Sequence, residues 1–138
     1  MSKSRSTQKN DKLIGSAITK KNHIRFDLEV ISDLISDGSK VLDIGCGDGE
    51  LLKYLKESKG IDGRGLEISP SYVSEAVKNG ISVIQGNAED DLMYYPDDSF
   101  DHVILSQTIQ AMHRPKKVME QMLRIAKYAI ISLPNFAH

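Results

Sequence analysis

Apolar residues recur at two alternating spacings along this chain. Over 24–35, IRFDLEVISDLI, the residues Leu28, Ile31, Leu34 and Ile35 repeat at helical spacing, which predicts a helix with one buried face. SDGS closes it with a turn signal, and KVLDI (40–44) is a short apolar run that predicts a strand. ELLKYLKES (50–58) returns to the helical period through Leu51, Leu52 and Leu55, with Gly60 as its stop. GRGLEI (63–68) reads as a second strand. SPSYVSEAVKNG (69–80) reads as a helix with Ser69 as cap, Pro70 in the first turn and Gly80 at the exit. Its expected inner face is Val73, Ala76 and Val77. ISVIQ (81–85) and FDHVILS (100–106) are the third and fourth strands. Pro115 opens a helix whose Val118, Met119, Met122, Leu123 and Ala126 share a face, the two methionines serving as core filler. YAIISL (128–133) is the fifth strand.

Short apolar strands that alternate with helices predict an α/β fold with a mostly parallel sheet covered on both faces. The crossovers of such a sheet are right-handed.

Composition narrows the picture. With 138 residues, 40% of them hydrophobic, the chain is long enough for one core, and 22–138 is read as one domain. Net charge is -1, but 1–21 carries six Lys/Arg against one Asp, which predicts a basic, flexible arm. No aromatic residue is interleaved with those charges, so no nucleic-acid partner is expected. No run is long and apolar enough for a membrane span or a secretory segment. A single cysteine cannot form an internal disulfide, which fits a reducing compartment and a cytoplasmic location. The four histidines and one cysteine lack zinc-ligand spacing, and EDD (89–91) and DD (97–98) lack the calcium-loop pattern. No metal is expected.

The chemistry begins where the first strand turns into its helix, at GCGDG (45–49). Gly45 supplies a backbone conformation closed to other residues, and Gly47 and Gly49 let a ligand or the helix come close. The helix that follows directs free N–H groups at the ligand. A tight turn with no ligand is the alternative. Asp43 at the end of the first strand reads as a polar anchor. Glu67, 22 residues after Gly45, can accept two ribose hydroxyls. Asn87, in QGNAED, can read the edge of a purine. Together they fit a nucleoside lying across the carboxyl ends of adjacent strands.

The spacing discriminates among nucleotides. A dinucleotide fingerprint, G-x-G-x-x-G, would need glycine at 50, where this chain has Glu50. A glutamate at a helix start also repels a pyrophosphate. The P-loop requires Gly-Lys-Ser/Thr, and Gly49, Glu50, Leu51 stand there instead. A nicotinamide-dependent oxidoreductase is therefore the weaker reading. The acidic rim of Asp43, Asp48 and Glu67 suits a nucleoside with a cationic, unphosphorylated tail, such as S-adenosylmethionine.

VLDIGCGDG, GLEIS, GNAEDDL, YPDDSFDHVILSQTIQ and PNFAH resemble the class I S-adenosylmethionine-dependent methyltransferases, and within them the methionine biosynthesis MetW family, over roughly residues 24–138. The resemblance implies a Rossmann-like fold with sheet order 3-2-1-4-5. It implies S-adenosylmethionine as cofactor, with S-adenosylhomocysteine as product. It places Asp43, Gly45, Cys46, Gly47 and Gly49 beside the methionine moiety. Glu67 would hold the ribose, with Ile68 after it. Asn87 and Ala88 would lie near adenine, and Ser106 and Gln107 near the reactive methyl. Many relatives have Asp where Asn87 stands. The resemblance also implies homoserine O-acyltransferase as a partner. It leaves open whether the chain methylates a small molecule or is a non-catalytic partner of that acyltransferase. The fold's last two of seven strands are expected to be missing, because the chain stops at His138. The fifth strand would then be an edge, and a homodimer could form through it.

Methyl transfer needs alignment more than acid–base groups. If a base is needed, His113 is the best-placed candidate, weighed against a solvent-facing role at the helix start. His102 reads as structural. Cys46 reads as a packed thiol rather than a nucleophile, since no histidine is evident as its partner.

Overall fold

A computed structural model describes residues 28–106 and 112–132. The basic arm, Gln107 and the PNFAH segment lie outside the described residues. Residues 28–34 form a helix, α1. Ile31 and Ile35 are buried, whereas Leu34, expected on the same face, is exposed.

From residue 35 onward the chain alternates as the hydrophobic pattern predicts. Strand β1 is Lys40–Ile44, and helix α2 is Glu50–Lys59. Strand β2 is Asp62–Glu67, and helix α3 is Pro70–Lys78. Strand β3 is Val83–Gln85, followed by the single-turn helix α4, Ala88–Asp91. Strand β4 is Phe100–Ser106, helix α5 is Pro115–Ile125, and strand β5 is Ala126–Ser132. Every strand pair is parallel, and the order is β3-β2-β1-β4-β5. The chain steps one way from β1 to β3, then crosses to β4 and continues the other way. The β1/β4 boundary is thus a topological switch point, where α/β sheets open a ligand crevice at their carboxyl ends.

The caps stop the helices where the sequence signals placed them. Gly60 ends α2 in the left-handed region, its N–H donating to Lys56 O at 3.0 Å. Ser69 caps α3 by accepting from Tyr72 N–H. Leu42 and Ile44 of β1 join Leu66, Val103 and Leu105 in a core shared with Val118, Met122 and Ile125 of α5. Strand alternation sends Val41 and Asp43 to the other face of the sheet.

Three local expectations change. Strand β3 starts at Val83, not Ile81, because the Ile81 N–H donates to Ala76 O at 3.0 Å and so still closes α3. Val77 is exposed, leaving Ala76 as the fully buried residue of α3. In α5 the buried stripe is Val118, Met122 and Ile125, while Met119 and Leu123 are exposed. Ala126 belongs to β5, since α5 runs into that strand without a linker and the stripe follows the i, i+4, i+7 row.

His102 of β4 is buried and stacks on Tyr128 of β5 at 5.4 Å, which fits its structural reading. Burial holds its imidazole below the usual histidine range.

Candidate functional site

The glycine loop is built by backbone conformation and pinned by hydrogen bonds. Gly45, Gly47 and Gly49 have φ of +72°, +59° and +85°, which side chains with a Cβ rarely adopt. Gly45 N–H donates to Leu66 O at 2.7 Å, and Gly49 N–H to Cys46 O at 3.0 Å. Asn79 Nδ2 at the end of α3 donates to Asp48 O at 2.9 Å. The loop therefore rests on the ends of β2 and α3. Glu50 begins α2, and its N–H donates to Asp48 Oδ1 at 3.1 Å.

Glu67 ties this frame together. Its Oε1 accepts from Gly47 N–H at 2.8 Å, and its Oε2 from Ser69 N–H at 2.9 Å. One buried carboxylate thus fixes both the loop after β1 and the entry to α3. Each oxygen keeps a second lone pair for a further donor.

Above this frame opens a cavity of about 640 Å³, within the usual range for small-molecule sites. Of the residues the sequence reading assigned to the cofactor, Gly45, Gly47, Glu67, Ile68, Asn87 and Ala88 line it. His113 lines it too. His113 is also exposed, in keeping with its solvent-facing alternative, and no side-chain hydrogen bond caps α5. Asp43, Cys46 and Gly49 are not among the lining residues. Ser106 ends β4, and Gln107 is outside the described residues.

The sequence reading missed several lining residues: Tyr72, Gly86, Glu89 and Met112, with Ile44 and Leu66 beneath them. Gly86 had a signal, as a glycine directly after a strand. A Cβ there would sit 2.7 Å from Asp91 Oδ2 and 2.9 Å from Leu66 Cδ1. Asn87 caps α4, its Oδ1 accepting from Glu89 N–H at 2.9 Å. Among the described residues its Nδ2 amide donates to no partner.

Asp43, expected as a polar anchor, is buried and outside the cavity lining. It is 3% exposed, and among the described residues its Oδ1 has no hydrogen-bond partner. Burial, with the charge of Glu67 nearby, pushes its carboxyl up to about 8. The folded state therefore holds a proton that the unfolded chain releases near pH 4. Stability falls as pH rises from about 4 through about 8. Urea midpoints measured from pH 5 to 9 should decline through this window in the wild type. Asp43→Asn should remove much of that decline and be the more stable protein at pH 9.

Cys46 packs its Sγ against Gly65. Burial and the charges of Asp43 and Glu67 push the thiol up to about 12, against the usual run of reactive cysteines. Iodoacetamide at pH 8 should label the folded chain at least about 100-fold more slowly than the urea-unfolded chain. Equal rates would restore a nucleophilic role.

The family model of the methionine biosynthesis protein MetW matches residues 25–138. This chain belongs to the MetW family. Among relatives, the bifunctional methionine biosynthesis protein MetXA/MetW of Rhodopirellula baltica is 36% identical over 123 residues, covering 83% of this chain. The chain spans only 20% of that relative's length. Two solved structures carry the same fold. One is an S-adenosylmethionine-dependent methyltransferase from Archaeoglobus fulgidus, with TM-score 0.69, 24% identity, and coverage of 81% of this chain and 51% of that one. The other is the [4+2]-cyclase SpnF, with TM-score 0.69, 23% identity, and coverage of 86% and 45%. The MetW family places the chain in methionine biosynthesis, on a methyltransferase-like fold with sheet order 3-2-1-4-5. That a cyclase shares the fold shows why the chemistry must be argued from the site.

Proposed function

We propose that the cavity binds S-adenosylmethionine and that the chain directs methyl transfer to a small molecule in methionine biosynthesis. The observation that carries this reading is the charge of the wall. Among the described residues it holds the carboxylates of Asp48, Glu67 and Glu89 and no lysine or arginine. Such a wall disfavours a pyrophosphate and suits a nucleoside with a cationic tail.

The residues fit that ligand group by group. Glu67, already oriented by Gly47 and Ser69, can accept ribose hydroxyls through its remaining lone pairs. The Nδ2 donor of Asn87 suits a ring nitrogen of the base, and Ile68 and Ala88 offer apolar contact to its faces. Bound there, the cofactor supplies an electrophilic methyl on a sulfonium. The chain's part is to align the acceptor and exclude water. His113, on the wall, can take the proton of an acceptor that must lose one.

A second reading rests on the Rhodopirellula relative, whose name joins MetXA and MetW in one chain. It supports a role beside homoserine O-acyltransferase, with the cofactor cavity serving regulation instead of turnover. Formation of S-adenosylhomocysteine, followed with methionine-pathway intermediates as acceptors, separates the two. Turnover by this chain alone supports the methyltransferase. No turnover, together with a ligand-dependent change in acyltransferase activity, supports the regulatory role.

A further inference from the structure

One contact joins parts of the cavity wall that are far apart in sequence. Asn87, Ala88 and Glu89 follow β3, whereas Met112 and His113 precede α5. Between them, Glu89 Oε1 accepts from the backbone N–H of Arg114 at 2.6 Å. The Arg114 guanidinium lies 3.8 Å from the same oxygen and 3.2 Å from Asp90 Oδ1. Glu89 is the less exposed member at 11% side-chain exposure, whereas Arg114 is 52% exposed. Arg114 itself does not line the cavity, and α5 begins directly after it.

We propose that Arg114 is a positioning residue: by clasping Glu89 and Asp90, it holds His113 and Met112 against the nucleobase side of the cavity, so that nucleoside binding and placement of His113 are coupled. This rests on the reading of the cavity as an S-adenosylmethionine site. The physics is simple. A base bound at Asn87–Glu89 fixes the carboxylates that Arg114 needs. The fixed clasp in turn orders the wall bearing His113. Coupling of this kind is reciprocal, so the clasp strengthens nucleoside binding by the same factor by which the nucleoside strengthens the clasp. Burial pushes the Glu89 carboxyl up, but the N–H groups and charges of Arg114 and His113 outweigh it and hold it below the usual carboxylate range. The carboxylate is therefore charged at neutral pH.

The test is amide hydrogen exchange at residue 114 in the full chain, corrected for intrinsic rates, with S-adenosylhomocysteine as the probe ligand. In the unliganded chain, Glu89→Ala should speed exchange at 114 by roughly 10-fold or more, because it removes a charged acceptor. Arg114→Met keeps the backbone bond and should speed it about three- to fivefold, the range of an exposed ion pair. Saturating S-adenosylhomocysteine should slow exchange at 114 in the wild type. Arg114→Met should weaken S-adenosylhomocysteine about three- to fivefold, with Arg114→Lys recovering part of the loss and the melting temperature nearly unchanged. A merely structural ion pair would shift melting and leave ligand affinity alone, which would overturn the proposal. Equal exchange at 114 in the wild type and Glu89→Ala would also overturn it. A wild-type chain that binds no S-adenosylhomocysteine yet shows the exchange difference would sink the cofactor reading and its coupling, leaving the clasp as a plain wall contact.

Discussion

Glu67→Ala is expected to lower affinity for S-adenosylhomocysteine by roughly 100-fold or more. The carboxylate holds Gly47 N–H at 2.8 Å and Ser69 N–H at 2.9 Å, and under the cofactor reading it also takes the ribose. Hydrogen bonds to a charged group are worth about 1.5–3 kcal/mol each, so losing the two to the ribose hydroxyls costs at least about 3 kcal/mol of binding. Glu67→Gln keeps one carbonyl acceptor and should fall between, near 10-fold. Calorimetric titration of the three proteins checks the order. Wild-type affinity in Glu67→Ala would remove this residue from the site.

The second large effect comes from a glycine outside the described wall of this cavity. Gly65 sits inside β2, paired in register with Asp43. A Cβ there would lie 2.5 Å from Cys46 Sγ, 3.2 Å from Cys46 Cβ and 3.3 Å from Val83 Cγ2. Gly65→Ala must push Cys46 out of place and the glycine loop with it. Overpacking of this kind costs about 1–3 kcal/mol, and here it also deforms the frame under the ligand. Urea unfolding should show that loss, and S-adenosylhomocysteine binding should weaken more than tenfold. Because the closest atom is a single sulfur, adding Cys46→Ala should restore most of both. A double variant no better than Gly65→Ala alone would place the clash in the strand backbone.

Local rules made much of this protein readable. The Ser69 cap, the Gly60 stop and the positive-φ loop at Gly45–Gly49 each depend on neighbours within a few residues, so their patterns survive in one dimension. The parallel sheet followed from strand–helix alternation, and its order from the family resemblance. What stayed hidden required knowing which face each residue occupies. Asp43 looked like a rim residue because it ends a strand beside the loop, but alternation turns it to the other face of the sheet, where it is buried. Met119 and Leu123 had the right spacing for a core stripe, yet the direct passage from α5 into β5 selects Val118, Met122 and Ile125 instead. Gly65 looked ordinary until the loop folded over it. The Glu89–Arg114 contact spans 25 residues and two connections, with no local signal to announce it.

The cavity also orders the chemistry that can be expected. Under the proposed function, its acidic wall suits a cationic or neutral ligand, and its place at the carboxyl ends of β1 and β2 suits a nucleoside held by Glu67.

The central claim is that this cavity holds S-adenosylmethionine. Titrating the full chain by calorimetry with S-adenosylmethionine and S-adenosylhomocysteine, with NADH as control, tests it most directly. The predicted result is micromolar binding of the first two, a free energy of about -8 kcal/mol, and none of NADH. A well-folded chain that binds NADH, or binds neither adenosyl ligand, would contradict it.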